Sequence, residues 1–378
     1  MRELSAIKRI EMASRQIPGV VSLAQGTPSL YSDKAIRQAV IQAIEENKVD
    51  KYSPGAGIPE LRKEISRQLA REGMDYDAEG EILVTAGAIE ALSAVFLALL
   101  QKGNEVVVLT PTYYANYESI IEMAGGVAVE VQLEEQEGWQ LDFEKLKAAL
   151  TPQTKAVLLC NPNNPTGSIL SKEELTKLGQ LAKERNLLLV FDDVYHHLVY
   201  GKELFCLATE GEYKDNIIRI VSFSKTFALT GWRIGFLHGP RELVAHIVPM
   251  HDNLLNCAPV VSQYAALAAL QHEKEIVPKV VEEYRKRREL MGGLLQEMKD
   301  YLSFVAPEGA YYFFPKIHGV ANTMDFAFEV LEKAKVAVVP GEDFGPGGEG
   351  HIRLCFGRAP EDIEEGLSRL KAYFEDLK

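Results

Sequence analysis

Apolar residues along this chain come in short unbroken runs, and between the runs they recur at every third or fourth position. Five runs stand out: EILVTAG at 81–87, EVVVLTP at 105–111, AVLLCNP at 156–162, LLLVFDD at 187–193 and IIRIVSFS at 217–224. Each is rich in Leu or β-branched residues and stops at small, polar or turn-forming ones, as strands buried on both faces do. The stretches Ile89–Leu100, Tyr114–Met123 and Ser171–Arg185 read as helices, the last strengthened by Ser171 followed by Glu174, a capping-box pair. Strands alternating with helices predict an α/β fold: a mostly parallel sheet covered by helices. Ligands of such sheets bind beyond the carboxyl ends of the strands, so the residues closing each run are the ones to inspect.

From about residue 275 the texture changes. A long charged helical stretch, EEYRKRRELMGGLLQEMKDYL, precedes FVAPEGAYYFFP, VAVVPG, HIRLCF and a last helix. The expected division is a large α/β domain over 30–275 and a second, smaller α+β domain from 1–29 and 276–378. The 378 residues, 47% hydrophobic and 25% charged, suffice for a sizeable core. A net charge of −13 argues against a nucleic-acid partner. Cys160, Cys206, Cys257 and Cys355 are scattered with no CxxC pair, which predicts free thiols in a reducing compartment. The first residues mix charges and lack the apolar core of a signal peptide, and Ala86–Leu100, the most apolar stretch, is too short to cross a bilayer. A cytoplasmic protein without membrane contact is expected.

The fifth run leads into SFSKTFALTGWRIG, 222–235. Most lysines sit in solvent, but Lys225 follows a buried run among small hydroxyl and apolar residues; a desolvated lysine has a depressed pKa and can form an imine with an aldehyde. Ser222 and Arg233 together would suit a phosphate. Asp192 and Asp193 close the fourth run, with Tyr195 beyond; they could bind a metal, cap a helix, or face a pyridine nitrogen and keep it protonated. NPNNPTG is turn chemistry, although Asn164 could also reach a ring hydroxyl from there. TAGAIEAL opens a helix with small residues, a weak anion-site signal, and Tyr113 could stack on a flat ring or simply pack. His196 and His197 beside the two aspartates lack a convincing third ligand, so no metal is expected. GPGGEG at 345–350 precedes a strand and reads as a loop, not as a nucleotide fingerprint.

Taken together, these residues resemble the class I and II aminotransferase family, fold-type-I pyridoxal-phosphate (PLP) enzymes, from about residue 20 to 375. The lysine segment carries the most specific part of the likeness; NNPTG, D-x-x-Y and R-L-x-x-G agree in order and spacing. The resemblance implies that Lys225 is the Schiff-base lysine and proton carrier, that Asp192 faces the pyridinium, and that Tyr195 and Asn164 contact the phenolic oxygen. It implies a phosphate cup of Ser222, Arg233 and the amides of Ala88 and Ile89, with Tyr113 stacked on the ring. Tyr52, in KYSPGAG, would reach the phosphate of a neighbouring subunit, which makes a homodimer with shared sites the expected assembly. Arg353 would grip the substrate α-carboxylate, with Asn164 and the backbone of Gly26 close by.

The implied activity is transfer of the amino group of an L-α-amino acid to a 2-oxo acid by a ping-pong mechanism. The alternative on the same scaffold is a C–S β-lyase, since function lives in the site and not in the fold. Some relatives that take acidic substrates carry a lysine where this chain has Ile89, so a neutral or aromatic donor is expected.

Overall fold

The computed structural model describes residues 5–376. One sheet dominates it, with strands β1 (Ile82–Thr85), β2 (Glu105–Thr110), β3 (Val127–Gln132), β4 (Thr154–Cys160), β5 (Leu188–Asp192), β6 (Ile217–Ser222) and β7 (Gly235–His238). Their order across the sheet is β1-β7-β6-β5-β4-β2-β3. Every pairing is parallel except the two made by β7, which runs antiparallel to β1 and β6.

The unbroken apolar runs have a direct cause. Val106 and Val108 of β2 point into one core layer with Leu158, Val190 and Ile220, whereas Val107 and Leu109 point into the other with Val157, Leu189 and Phe191. Alternate residues face opposite sides of a pleated strand, and here both sides are covered, so both must be apolar. The expected helices form as Ala88–Leu99, Tyr114–Met123 and Lys172–Arg185. Both halves of the Ser171–Glu174 capping box are made: Ser171 Oγ accepts from the Glu174 amide at 3.2 Å, and the Glu174 carboxylate accepts from the Ser171 amide at 2.7 Å.

Two strands have no counterpart among the five runs. β3 lies at the sheet edge with Val127 and Gln132 exposed, so its pattern is broken by solvent-facing residues. β7 is only four residues long and begins at Gly235, where a Cβ would lie 2.7 Å from the Val221 carbonyl oxygen of β6.

Downstream, Tyr312–Phe313, Ile352–Cys355 and Val339–Pro340 make a three-stranded antiparallel sheet, and Val21–Ser22 pairs in parallel with Val336–Ala337. The charged helix begins earlier than its charge run, at Glu273, and ends at Gln296; Leu302–Ser303 beyond it pair with Lys316–Ile317. No helix among the described residues is long and apolar enough to cross a membrane.

Candidate active site

A cavity of about 510 Å³ opens beyond the carboxyl ends of β4, β5 and β6. Gly26, Ala88, Ile89, Tyr113, Asn164, Asp192, Tyr195, Ser222, Lys225, Arg233 and Arg353 all line it. Tyr52 does not; it stands on the surface, 80% exposed.

The pleat of β5 separates the two aspartates that were equivalent in sequence. Asp193 pairs with the buried Arg219 of β6, and Asp192 turns into the cavity. Oδ2 of Asp192 accepts from the Tyr117 hydroxyl at 2.5 Å, while Oδ1, also buried, has no partner among the described residues. Burial pushes this carboxyl up to about 6, against the pull of the Tyr117 hydrogen bond. An orphaned buried acceptor aimed at a cavity calls for a donor, and a protonated pyridine nitrogen supplies one.

Lys225 sits in the single helical turn Phe223–Thr226 that follows β6, and its Nζ donates to the Gly26 carbonyl at 2.8 Å. Burial is the main influence on this amine and lowers it to about 8. Tyr195 shares a hydrogen bond with Tyr312 at 2.9 Å between hydroxyls, and burial holds its phenol well above the ordinary range, hence protonated.

An anion cradle lies on one side of the lysine. Gly87 caps the helix Ala88–Leu99 at φ +88°, and a Cβ there would come within 2.7 Å of Arg233 Nη2. That approach sets the guanidinium beside the first, intrahelically unpaired amides of the helix. Ser222 Oγ accepts from the Ser224 amide at 3.1 Å, which leaves its O–H to donate. A dianionic phosphate fits this combination of charge, amides and hydroxyl.

Arg353, also lining the cavity and 2% exposed, is held by its own donors: Nη1 to Asn164 Oδ1 at 3.1 Å and Nη2 to the Ala24 carbonyl at 2.6 Å. Its guanidinium carbon lies 4.4 Å from the Tyr312 ring centroid and 5.1 Å from that of Phe344, and Nε has no partner among the described residues. Stacking fixes the plane of a fork with donors to spare, which suits a carboxylate.

Sequence reasoning missed Tyr117, Tyr312, Ile7 and Glu11, which also line the cavity. Tyr117 follows Tyr113 by four residues, so the face that turns one ring inward turns the other as well; that spacing was a usable signal. Ile7 and Glu11 carried none. Their helix, Ala6–Ser14, is tethered at its start by Asp343, whose carboxylate accepts from the Ala6 amide at 2.8 Å.

A sequence model described as "Aminotransferase class I and II" matches residues 18–370. The chain is 37% identical over 371 residues to "Putative aminotransferase YugH" of Bacillus subtilis, covering 98% of this chain and 95% of that protein. Among solved structures it is similar to "Thermus thermophilus aspartate aminotransferase with maleate", with a TM-score of 0.91, 34% identity and coverage of 98% and 99% of the two chains. It is also similar to the "aromatic aminotransferase from Pyrococcus horikoshii", with a TM-score of 0.90, 33% identity and coverage of 97% and 99%. These relatives are aminotransferases by name, and the β-lyase alternative is not favoured.

Proposed function

The chain belongs to the class I and II aminotransferase family and is a PLP-dependent aminotransferase, and from that premise we propose that its amino donor is a neutral or aromatic L-α-amino acid. The observation that supports this is the cation inventory of the cavity. Lys225, Arg233 and Arg353 are the lysine and arginines lining it among the described residues, and each already has a task. Around them stand Ile7, Ile89 and the acidic Glu11, none of which would hold a second substrate carboxylate. The similar structures bear aspartate and aromatic names, so likeness alone does not choose between donors.

When bound, the cofactor supplies a carbonyl for amine attachment and a ring that takes up the electron pair left at Cα. Asp192 would face the ring nitrogen with its open Oδ1, Tyr113 would cover the ring, and Tyr195 and Asn164 would meet the ring oxygen. Ser222, Arg233 and the amides of Ala88 and Ile89 would hold the phosphate. Arg353 then presents the substrate through its α-carboxylate, with Gly26 backing that end of the cavity. Lys225 Nζ would be the amine that attaches the cofactor and, when free, would take the proton from Cα. In the second half-reaction it returns a proton to the Cα of the former 2-oxo acid. An amine brought down to about 8 by burial is partly neutral at physiological pH, as a base requires. The lysine and the α-carboxylate site share one cavity, so the Cα–H bond is held close to its base.

A panel of amino donors against pyruvate and 2-oxoglutarate tests the specificity. Aromatic and neutral donors are expected to exceed aspartate in kcat/KM by about tenfold or more, the scale of one unmet charge–charge contact. Aspartate ahead by that margin would overturn the reading.

We further infer a homodimer in which the exposed Tyr52 serves the phosphate site of the second copy. A bulky ring left 80% exposed is the supporting feature. Tyr52→Phe should weaken cofactor retention by about tenfold, the value of one hydrogen bond to a charged group. Unaltered retention together with a monomeric mass in sedimentation would remove this inference. The division into 30–275 and 1–29 with 276–378 draws support from the pairing of Val21–Ser22 with Val336–Ala337, and four unpaired cysteines support a cytosolic setting.

A further inference from the structure

His196 and His197 sit beyond β5 with no third ligand close in sequence, and the fold brings them one. Glu72, which caps the helix Pro59–Arg71, presents a carboxylate to both imidazoles; one ligand atom from each of the three residues lies within 4.8 Å of the others. None of the three lines the cofactor cavity. We propose that Glu72, His196 and His197 bind a single divalent transition-metal ion of the zinc type, as a site separate from the aminotransferase centre.

The outer contacts of the imidazoles carry the argument. A metal-ligating histidine characteristically gives its second ring nitrogen to a carboxylate or a backbone carbonyl. His196 Nδ1 lies 2.9 Å from the Asp193 carbonyl oxygen, which directs Nε2 to the ion. His197 Nε2 lies 3.1 Å from Glu273 Oε1, and its buried Nδ1 has no partner among the described residues. Glu72 itself is oriented by the Gln68 side-chain amide at 3.1 Å. The two imidazole rings pack against each other with centroids 3.8 Å apart and planes tilted by 41°, and they would spread slightly to take up one ion.

Tetrahedral zinc with bonds of about 2.0–2.1 Å sets its ligands roughly 3.4 Å apart, so closure asks each side chain to move by about 1 Å or less. Water would complete the shell. Glu72 Oε2 also pairs with Arg219 Nη1 at 3.6 Å, and Arg219 pairs in turn with Asp193, so an ion would share the Glu72 carboxylate with that arginine. An ion here would tie the turn that carries Asp192 and Tyr195 to the helix Pro59–Arg71 and, through Glu273, to the start of the helix Glu273–Gln296. Binding to the folded chain alone raises its melting temperature with metal concentration.

The test is titration calorimetry of Zn2+ into holoenzyme stripped by EDTA, in a non-chelating buffer free of amino acids. One ion per chain with a Kd of about 1 μM or tighter is expected, and Glu72→Gln and His197→Asn should each weaken it at least tenfold. A crystal soaked in the same salt should give an anomalous peak at the zinc edge among the three side chains. If the variants do not fold, the wild-type stoichiometry and the position of the peak still decide. Binding that is weak or substoichiometric, a peak elsewhere, or affinity unchanged in both variants would mean an adventitious ion only, and would end the proposal.

Discussion

Lys225→Ala is expected to lower kcat by about 10⁴-fold or more, because on the proposed roles it would remove the covalent anchor and the proton carrier in one change. Ser222, Arg233 and the helix amides do not depend on the amine, so the variant should still bind the cofactor reversibly. Borohydride should then fix none of it, in contrast to the wild-type protein. Lys225→Arg separates charge from chemistry: a guanidinium stays protonated and cannot act as the base, so it should be about as inactive as the alanine variant. The wild-type amine adds a pH signature. Burial lowers it to about 8, so the apoprotein should capture the cofactor faster as the pH rises through that value and close to tenfold more slowly per pH unit below it. Retention of more than about a tenth of the wild-type kcat by either variant would exclude Lys225 as the proton carrier.

What could be read from the sequence follows from how local each cause is. A strand buried on both faces must be apolar throughout, so β2, β4, β5 and β6 announce themselves in one dimension. The edge strand β3 and the four-residue β7 are specified by their neighbours, not by their own composition. The cavity behaves in the same way. Lys225, Ser222 and Arg233 lie within one short segment, and Asp192 closes an obvious run. Which of Asp192 and Asp193 enters the cavity depends on the pleat and on Arg219, a residue of the adjacent strand. Ile7 and Glu11 reach the cavity because Asp343 anchors their helix, a contact between residues 337 apart in the chain. A closure at that separation leaves no local pattern. Glu72 is the same kind of omission, brought to His196 and His197 by the packing of the helix Pro59–Arg71 and invisible from their neighbours in sequence.

Asp192→Asn is expected to lower kcat by about 10²–10³-fold, the usual effect of removing one preorganised charge partner from a site, and also to stabilise the cofactor-free protein. The two effects share a cause. The carboxyl ionises near 3.8 when the chain is unfolded and, because of burial, near 6 when it is folded. Between those values the folded chain binds more protons than the unfolded one, so stability falls as the pH rises through the window. Above pH 6 the cost is fully present and amounts to roughly 3 kcal/mol. Asparagine escapes that cost and can still accept from the Tyr117 hydroxyl through its amide oxygen. The variant apoprotein should therefore melt several degrees higher at pH 7 and lose its advantage below about pH 4. With the cofactor bound the sign should reverse, since a protonated ring nitrogen repays the wild-type carboxylate and not the amide. Equal melting temperatures of the two apoproteins at pH 7 would show that burial does not tax Asp192. Near-normal turnover by the variant would show that its open oxygen serves something other than the ring.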